Sequence, residues 1–365
     1  MKAKDFQYDK FLYFKEEMDN NYKRFLQNSS WEVPVIQSLP SYEQFLGACR
    51  TRESSLESQL QTLTEMTMLK TDLAFLYLEP WYGVGIYATA YGCKYEWVPG
   101  DAPQVRPIYK SLDEIDNIKK PDIAACDELL VVLDMIRYFK EKTGGALEIV
   151  LTDTQSPNDT ASLIMDTSEF FAATIEEPER LHPLLQSITD LICQFSDEQK
   201  NLIGERFTKP GHQMISLTDS SGISVSDDNM AFISNQSYND TCLRYNNMLS
   251  DHFGGIALHT CGNAVHNFPR LLQTRGLNTV DLAVGNAVDP SPNDSAKVAE
   301  IFHGTDIIVK VRLGWNQIAG IEPLIDPGIR LIVQLLTEGS IDERNRQYSA
   351  AKQAVETIKQ SKSRK

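Results

Sequence analysis

The run Ser234-Asn-Gln-Ser-Tyr-Asn-Asp-Thr-Cys-Leu-Arg-Tyr-Asn-Asn-Met-Leu-Ser-Asp-His252-Phe-Gly254-Gly255-Ile256-Ala-Leu-His259-Thr-Cys261-Gly262-Asn263 holds one unit of the fold. Ser234 is suited to cap a helix running to about His252, because its hydroxyl can accept a first-turn amide. Gly254-Gly255 closes that helix, glycine being the residue that turns left-handed without penalty. Ile256 to His259 is then a short continuous apolar run, the pattern of a strand buried on both faces. A helix followed at once by such a strand is the repeat of a parallel α/β fold.

Working outward, the same signal recurs at Leu73–Leu78, Leu147–Leu151, Met214–Leu217, Gly222–Val225, Val280–Val284 and Ile307–Val311. Good helices lie between several of these runs. Asp127–Lys142 places Leu129, Leu130, Leu133, Ile136 and Phe139 on one face and stops at Gly144-Gly145. A helix from Glu177 carries Pro178 in its first turn, where a missing N–H costs nothing, and buries Leu181, Leu184, Leu185, Ile188 and Leu191. Upstream, Phe11 to Leu26 reads as an aromatic-bearing helix. From Tyr42 the residues Phe45, Leu46, Cys49, Leu56, Leu60, Leu63 and Met66 line one helical face. The expected organisation is an N-terminal helical extension over 1–70 and a barrel domain over 71–365. About seven strand candidates fall one short of the eight that close a barrel, and periodicity alone does not separate a barrel from an open doubly wound sheet.

Of the 365 residues, 42% are hydrophobic and 23% charged, enough for a packed core. The formal charge of −15 argues against a protein that tracks nucleic-acid phosphates. No run approaches the roughly 18 apolar residues of a membrane span. The start, Met-Lys-Ala-Lys-Asp-Phe-Gln-Tyr, lacks the apolar core of a secretory signal. Six scattered cysteines without a Cys-x-x-Cys pair fit a reducing compartment. The expectation is a cytoplasmic enzyme acting on a small molecule, without nucleic-acid or membrane partners, with a homodimer left open.

The chemistry concentrates at strand ends. Side chains two apart on a strand share a side, so His259 and Cys261 converge, and imidazole with thiolate is a zinc donor pair. A structural or catalytic zinc needs at least three protein ligands, and a His-x-Cys pair is just as compatible with ordinary packing. Asp227 and Asp228 follow Gly222–Val225 and suit general-base or cation-binding roles, or a simple turn cap. Asp153 and Asp219 also follow strand candidates. Glu79 ends the first candidate beside Trp81 and Tyr82, where aromatic surroundings favour a raised pKa. Gly83-x-Gly85-x-x-Ala88, with Asp101 beyond it, matches a dinucleotide fingerprint poorly, because its glycines come too late after the strand. Hydrolase, P-loop and zinc-protease motifs are missing from the sequence.

Ile223-Ser-Val-Ser-Asp227-Asp228-Asn-Met230, Ile233-Ser234-x-x-x-Tyr238 and Ile256-Ala-Leu-His259-Thr-Cys261-Gly262-Asn263 together resemble the uroporphyrinogen decarboxylase superfamily. Asp166-x-x-Glu169-Phe170 and Glu176-Glu177-Pro178-Glu179 add to the likeness, and the Glu79–Gly92 segment does so more weakly. The resemblance spans roughly residues 70–340 and implies a (β/α)8 TIM-like barrel with its site at the carboxyl ends of the strands. That superfamily holds the decarboxylase of haem synthesis and zinc methyltransferases that work with corrinoid proteins. The decarboxylase's arginine-rich N-terminal motif is replaced here by Trp31-Glu-Val-Pro-Val-Ile-Gln-Ser. For the methyltransferases the resemblance implies zinc on His259 and Cys261. It implies a further cysteine too, yet none follows Cys261, which points to a carboxylate such as Glu79 or to a lost metal site. On this reading Glu79, Asp227 and Asp228 are the catalytic candidates, Asp153, Trp81, Tyr82 and Asn263 line the substrate pocket, and a corrinoid protein presents the methyl group. Decarboxylation of a tetrapyrrole and a catalytically degenerate corrinoid- or tetrapyrrole-binding barrel stand as alternatives.

Overall fold

Eight strands occur among the described residues: β1 (Val35–Gln37), β2 (Tyr95–Glu96), β3 (Gln104–Val105), β4 (Ile223–Ser226), β5 (Ile256–Thr260), β6 (Leu277–Ala283), β7 (Ile308–Gly314) and β8 (Arg330–Leu336). They come from a computed structural model that describes residues 1–27, 31–38, 47–74, 76–98, 102–116, 118, 120–208 and 222–364. Six of them form one parallel sheet in the order β1-β8-β7-β6-β5-β4, while β2 and β3 pair as an antiparallel ribbon. Single parallel bridges continue the sheet beyond β4, joining Gln155 to Ser226 and Leu78 to Ile149. Leu78 and Ile149 belong to two of the expected strands, which pair at isolated points rather than as ladders. This is an α/β architecture consistent with a TIM-like barrel, covered by helices on its outside.

The expected Met214–Leu217 strand and Asp219 lie outside the described residues, as do Phe45, Leu46 and Asp101. Both strands of the ribbon and two strands of the parallel sheet, β1 and β8, carried no expectation. Arg330–Leu336 is a mainly apolar run interrupted by Gln334, and β1 is only three residues long. Val35–Gln37 falls inside the expected 1–70 helical extension, so the parallel sheet draws a strand from that segment.

The helices form where their sequences direct. Pro178–Ile203 buries Leu181, Leu184, Leu185, Ile188 and Leu191, each worth about 1.5–3 kcal/mol of transfer free energy. Asp127–Lys142 buries Leu129, Leu133, Ile136 and Phe139, but Leu130 is turned outward and Val132 and Met135 take its place. At about 100° per residue the buried positions fill one arc, from Met135 through Phe139, Val132, Ile136 and Leu129 to Leu133, and Leu130 falls outside it. The Ser234-capped helix runs as Asn235–Tyr238, a π turn at Asn239–Leu243, and Arg244–Phe253. Gly254 ends it with φ of 77°. The C-terminal helix, Ile341–Ser363, starts with a capping box between Ser340 and Glu343. It is tied to β1 through Asp72, whose carboxylate accepts from Val35 N at 2.7 Å, Tyr348 Oη at 2.8 Å and Lys352 Nζ at 2.7 Å. No helix among the described residues is long and apolar enough to cross a membrane.

Candidate metal centre

Parallel register sets Ser226, His259, Asp281 and Lys310 side by side across β4, β5, β6 and β7. Laterally paired residues of a parallel sheet project to the same side, so this row carries imidazole, carboxylate and ammonium into one layer. All four residues are buried. His259 Nδ1 lies 2.9 Å from Asp281 Oδ2, and Lys310 Nζ lies 3.2 Å from the same oxygen. Two residues further along β7, Arg312 donates from Nε to Asp281 Oδ1 at 3.0 Å and from Nη2 to Thr260 O at 3.2 Å. Burial alone would raise the Asp281 carboxyl, but Arg312 and Lys310, with the His259 bond, hold it well below its usual range. Lys310 is depressed to about 8 by burial, against the pull of Asp281.

The next layer opens to solvent. His259 Nε2 faces Cys261 Sγ at 3.3 Å and Asp228 Oδ1 at 3.9 Å. These three donor atoms all lie within 4.8 Å of one another, and the ligand chemistry suits zinc. Asp228 also accepts the Cys261 amide at 2.6 Å, so the carboxylate and the thiol are fixed relative to each other. Cys261 is exposed as a residue, while its sulfur turns inward toward His259 and Arg312. Burial of that sulfur and the nearby Asp228 push the thiol up to about 11, with Arg312, 3.9 Å away, opposing them. The turn that aims Cys261 needs Gly262, whose φ is 77° and whose amide donates to Asp289 at 2.9 Å.

The adjacent acids that follow β4 part company. Asp228 faces the cluster, whereas Asp227 is fully buried and accepts from Asn246 Nδ2 at 2.8 Å and Ser156 Oγ at 3.3 Å. Burial lifts Asp227 to about 6 against those two bonds. Asp159 is a residue the sequence reasoning missed. Its carboxylate receives the amides of Asp228 at 2.6 Å and Asn229 at 2.9 Å, pinning the turn that presents Asp228. Burial, then Asp227 and Asp228, push Asp159 well above the ordinary carboxylate range.

The other expected residues distribute unevenly. Trp81 Nε1 donates to Asp153 Oδ2 at 3.3 Å, and both side chains are buried. Tyr82 packs against Tyr95 and Trp97. Glu79 is held through its backbone by Gln59, at 2.7 and 2.9 Å, and is not among the residues whose donor atoms converge near His259. Asn263 is exposed and accepts the Val265 amide at 3.4 Å. Gly83 and Gly85 are packing glycines, since a Cβ would meet Pro103 Cγ at 2.5 Å and Val105 Cγ1 at 2.6 Å. Asp281, Lys310, Arg312 and Asp159 carried no expectation.

The structure is similar to a methyltransferase from Methanosarcina mazei, with a TM-score of 0.64, 16% identity, and coverage of 94% of this chain and 99% of that one. A B12-independent methionine synthase from Shewanella sp. W3-18-1, in complex with selenomethionine, superimposes with a TM-score of 0.40, 10% identity, and 74% and 75% coverage. No curated protein matches the sequence. The profile of the family described as uroporphyrinogen decarboxylase (URO-D) matches residues 33–308, and the chain belongs to that family.

Proposed function

We propose that the protein is a zinc-dependent methyltransferase of the URO-D family, moving a methyl group between a corrinoid protein and a small acceptor. The observation that carries this reading is the convergence of Asp228, His259 and Cys261 donor atoms at the mouth of the sheet. One nitrogen, one sulfur and one oxygen donor satisfy the three-ligand requirement of a catalytic zinc site and leave a position for substrate. Zinc held there would act as a Lewis acid that lowers the pKa of an acceptor such as a thiol. The third ligand is then Asp228 in place of Glu79. Likeness of fold to a methyltransferase is compatible with this activity.

The chain's own groups divide the remaining work. Asp228 holds the Cys261 backbone and orients the sulfur. Asp159 and Asp227 stay behind the cluster and support its turns. Glu79, Asp153, Trp81, Tyr82 and Asn263 are the groups we assign to substrate contact. His259→Ala should abolish stoichiometric zinc and, with it, demethylation of free methylcobalamin by a small thiol. Zinc retained at full stoichiometry in that variant would sink the assignment.

A second reading rests on Arg312. Its guanidinium lies 3.9 Å from Cys261 Sγ and brings positive charge to the donor set. A metal-free barrel that binds a corrinoid or decarboxylates a tetrapyrrole would use that charge for carboxylates. Against the decarboxylase, Gln37 on β1 occupies the arginine-motif region and is engaged by Lys70 O at 2.7 Å and Thr337 Oγ1 at 2.9 Å.

A further inference from the structure

We infer that Asp281 is the positioning residue that fixes the tautomer of His259, keeping Nδ1 protonated so that the Nε2 lone pair faces Cys261 and Asp228. The argument starts from donor and acceptor capacity. An ionised carboxylate can only accept, so the 2.9 Å contact with His259 Nδ1 requires the proton on Nδ1. Lys310, on the same Oδ2 as His259, and Arg312, on Oδ1, can only donate, and between them they hold both carboxylate oxygens. The side chain of Asp281 is 3% exposed and that of Lys310 0%, so water does not compete for these bonds. With Nδ1 protonated, Nε2 is an acceptor facing the Cys261 thiol at 3.3 Å and is a ready ligand for a metal. A carboxylate behind a metal-binding histidine orients the ring and raises its basicity.

An amide at position 281 gives the opposite outcome. Arg312, which can only donate, would draw the amide oxygen to the Oδ1 position, leaving the NH2 group at the Oδ2 position to face His259 Nδ1 and Lys310. That ring nitrogen would then have to accept, and the proton would move to Nε2. Asp281→Asn is close in shape to the native side chain, so it tests the tautomer rather than the packing.

The test is a long-range 1H–15N correlation spectrum of histidine-labelled, chelator-treated protein near neutral pH, with His259 assigned by its loss in His259→Ala. The expected result is the Nδ1–H pattern for wild type and the Nε2–H pattern for Asp281→Asn. A parallel titration with Co2+ as probe should show affinity reduced about 10–100-fold in Asp281→Asn. Wild-type His259 as the Nε2–H form or as imidazolium overturns the inference, as does a variant with unchanged tautomer and unchanged Co2+ affinity. Should Asp281→Asn fail to fold, the wild-type spectrum decides alone. The inference rests on the metal reading only for the titration, so the two can fail separately. Wild type with the Nδ1–H form and no Co2+ binding keeps the inference and removes the metal. Co2+ bound equally by both proteins, with no tautomer change, does the reverse.

Discussion

Asp228 meets Cys261 twice, accepting its amide and standing with its sulfur and His259 Nε2 in one group of donor atoms. A ligand in that position should matter more to metal affinity than a group that only supports a ligand, for which losses run at about 10–100-fold. Asp228→Asn is therefore expected to weaken zinc by more than that range in competition with a chromophoric chelator; unchanged affinity would remove Asp228 from the ligand set. One layer down, Asp281 compensates a fully buried ammonium. Asp281→Ala leaves Lys310 with an uncompensated charge, an effect of about 3–5 kcal/mol on unfolding free energy in urea. The double variant with Lys310→Met should recover a large part of that loss, because it removes the orphaned charge. Additive losses in the two variants would mean that Asp281 and Lys310 are not energetically coupled.

The strand-to-turn segments after β4 and β5 are where the candidate metal centre is assembled, and they differ in how far the sequence discloses them. The convergence of His259 and Cys261 was legible because a spacing of two at the end of β5 brings them to one side, and Gly262 marks the turn. Asp159 was not, since its partners are backbone amides 69 and 70 residues away. Asp159→Ala should cost about 1–3 kcal/mol through the two stranded amides and should also weaken metal binding as Asp228 loosens. A variant with lowered thermal stability but wild-type metal affinity would confine Asp159 to a structural role. Asp281 and Lys310 did leave a signal. Each is a charged residue inside an apolar run, Val280–Val284 and Ile307–Val311, and a charge on a buried strand demands a partner. Which partner it has depends on the lateral register of β5, β6 and β7, and a single strand's sequence does not encode that register. The helices were more legible than the strands because their caps and periodicity are local, as at Ser234, Pro178 and Gly254.

At the scale of the molecule, alternating strands and helices in the second half led to the parallel sheet, while β1 and β8 lay outside the expected set. β1 has only three residues and gains its place by pairing with β8 and by the Asp72 clamp to the C-terminal helix. Such long-range contacts leave almost no trace in a local pattern. The sheet order places the carboxyl ends of β4, β5 and β7 around Asp228, His259, Cys261 and Arg312, so the same topology permits a zinc centre or a metal-free pocket whose cation is Arg312. The measurement that separates them is metal content per chain in protein purified without chelator, beside a Cys261→Ala variant. The account predicts about one zinc per chain in wild type and its loss from the variant. No zinc in either protein would contradict it and leave Arg312 as the charge that the site offers its substrate.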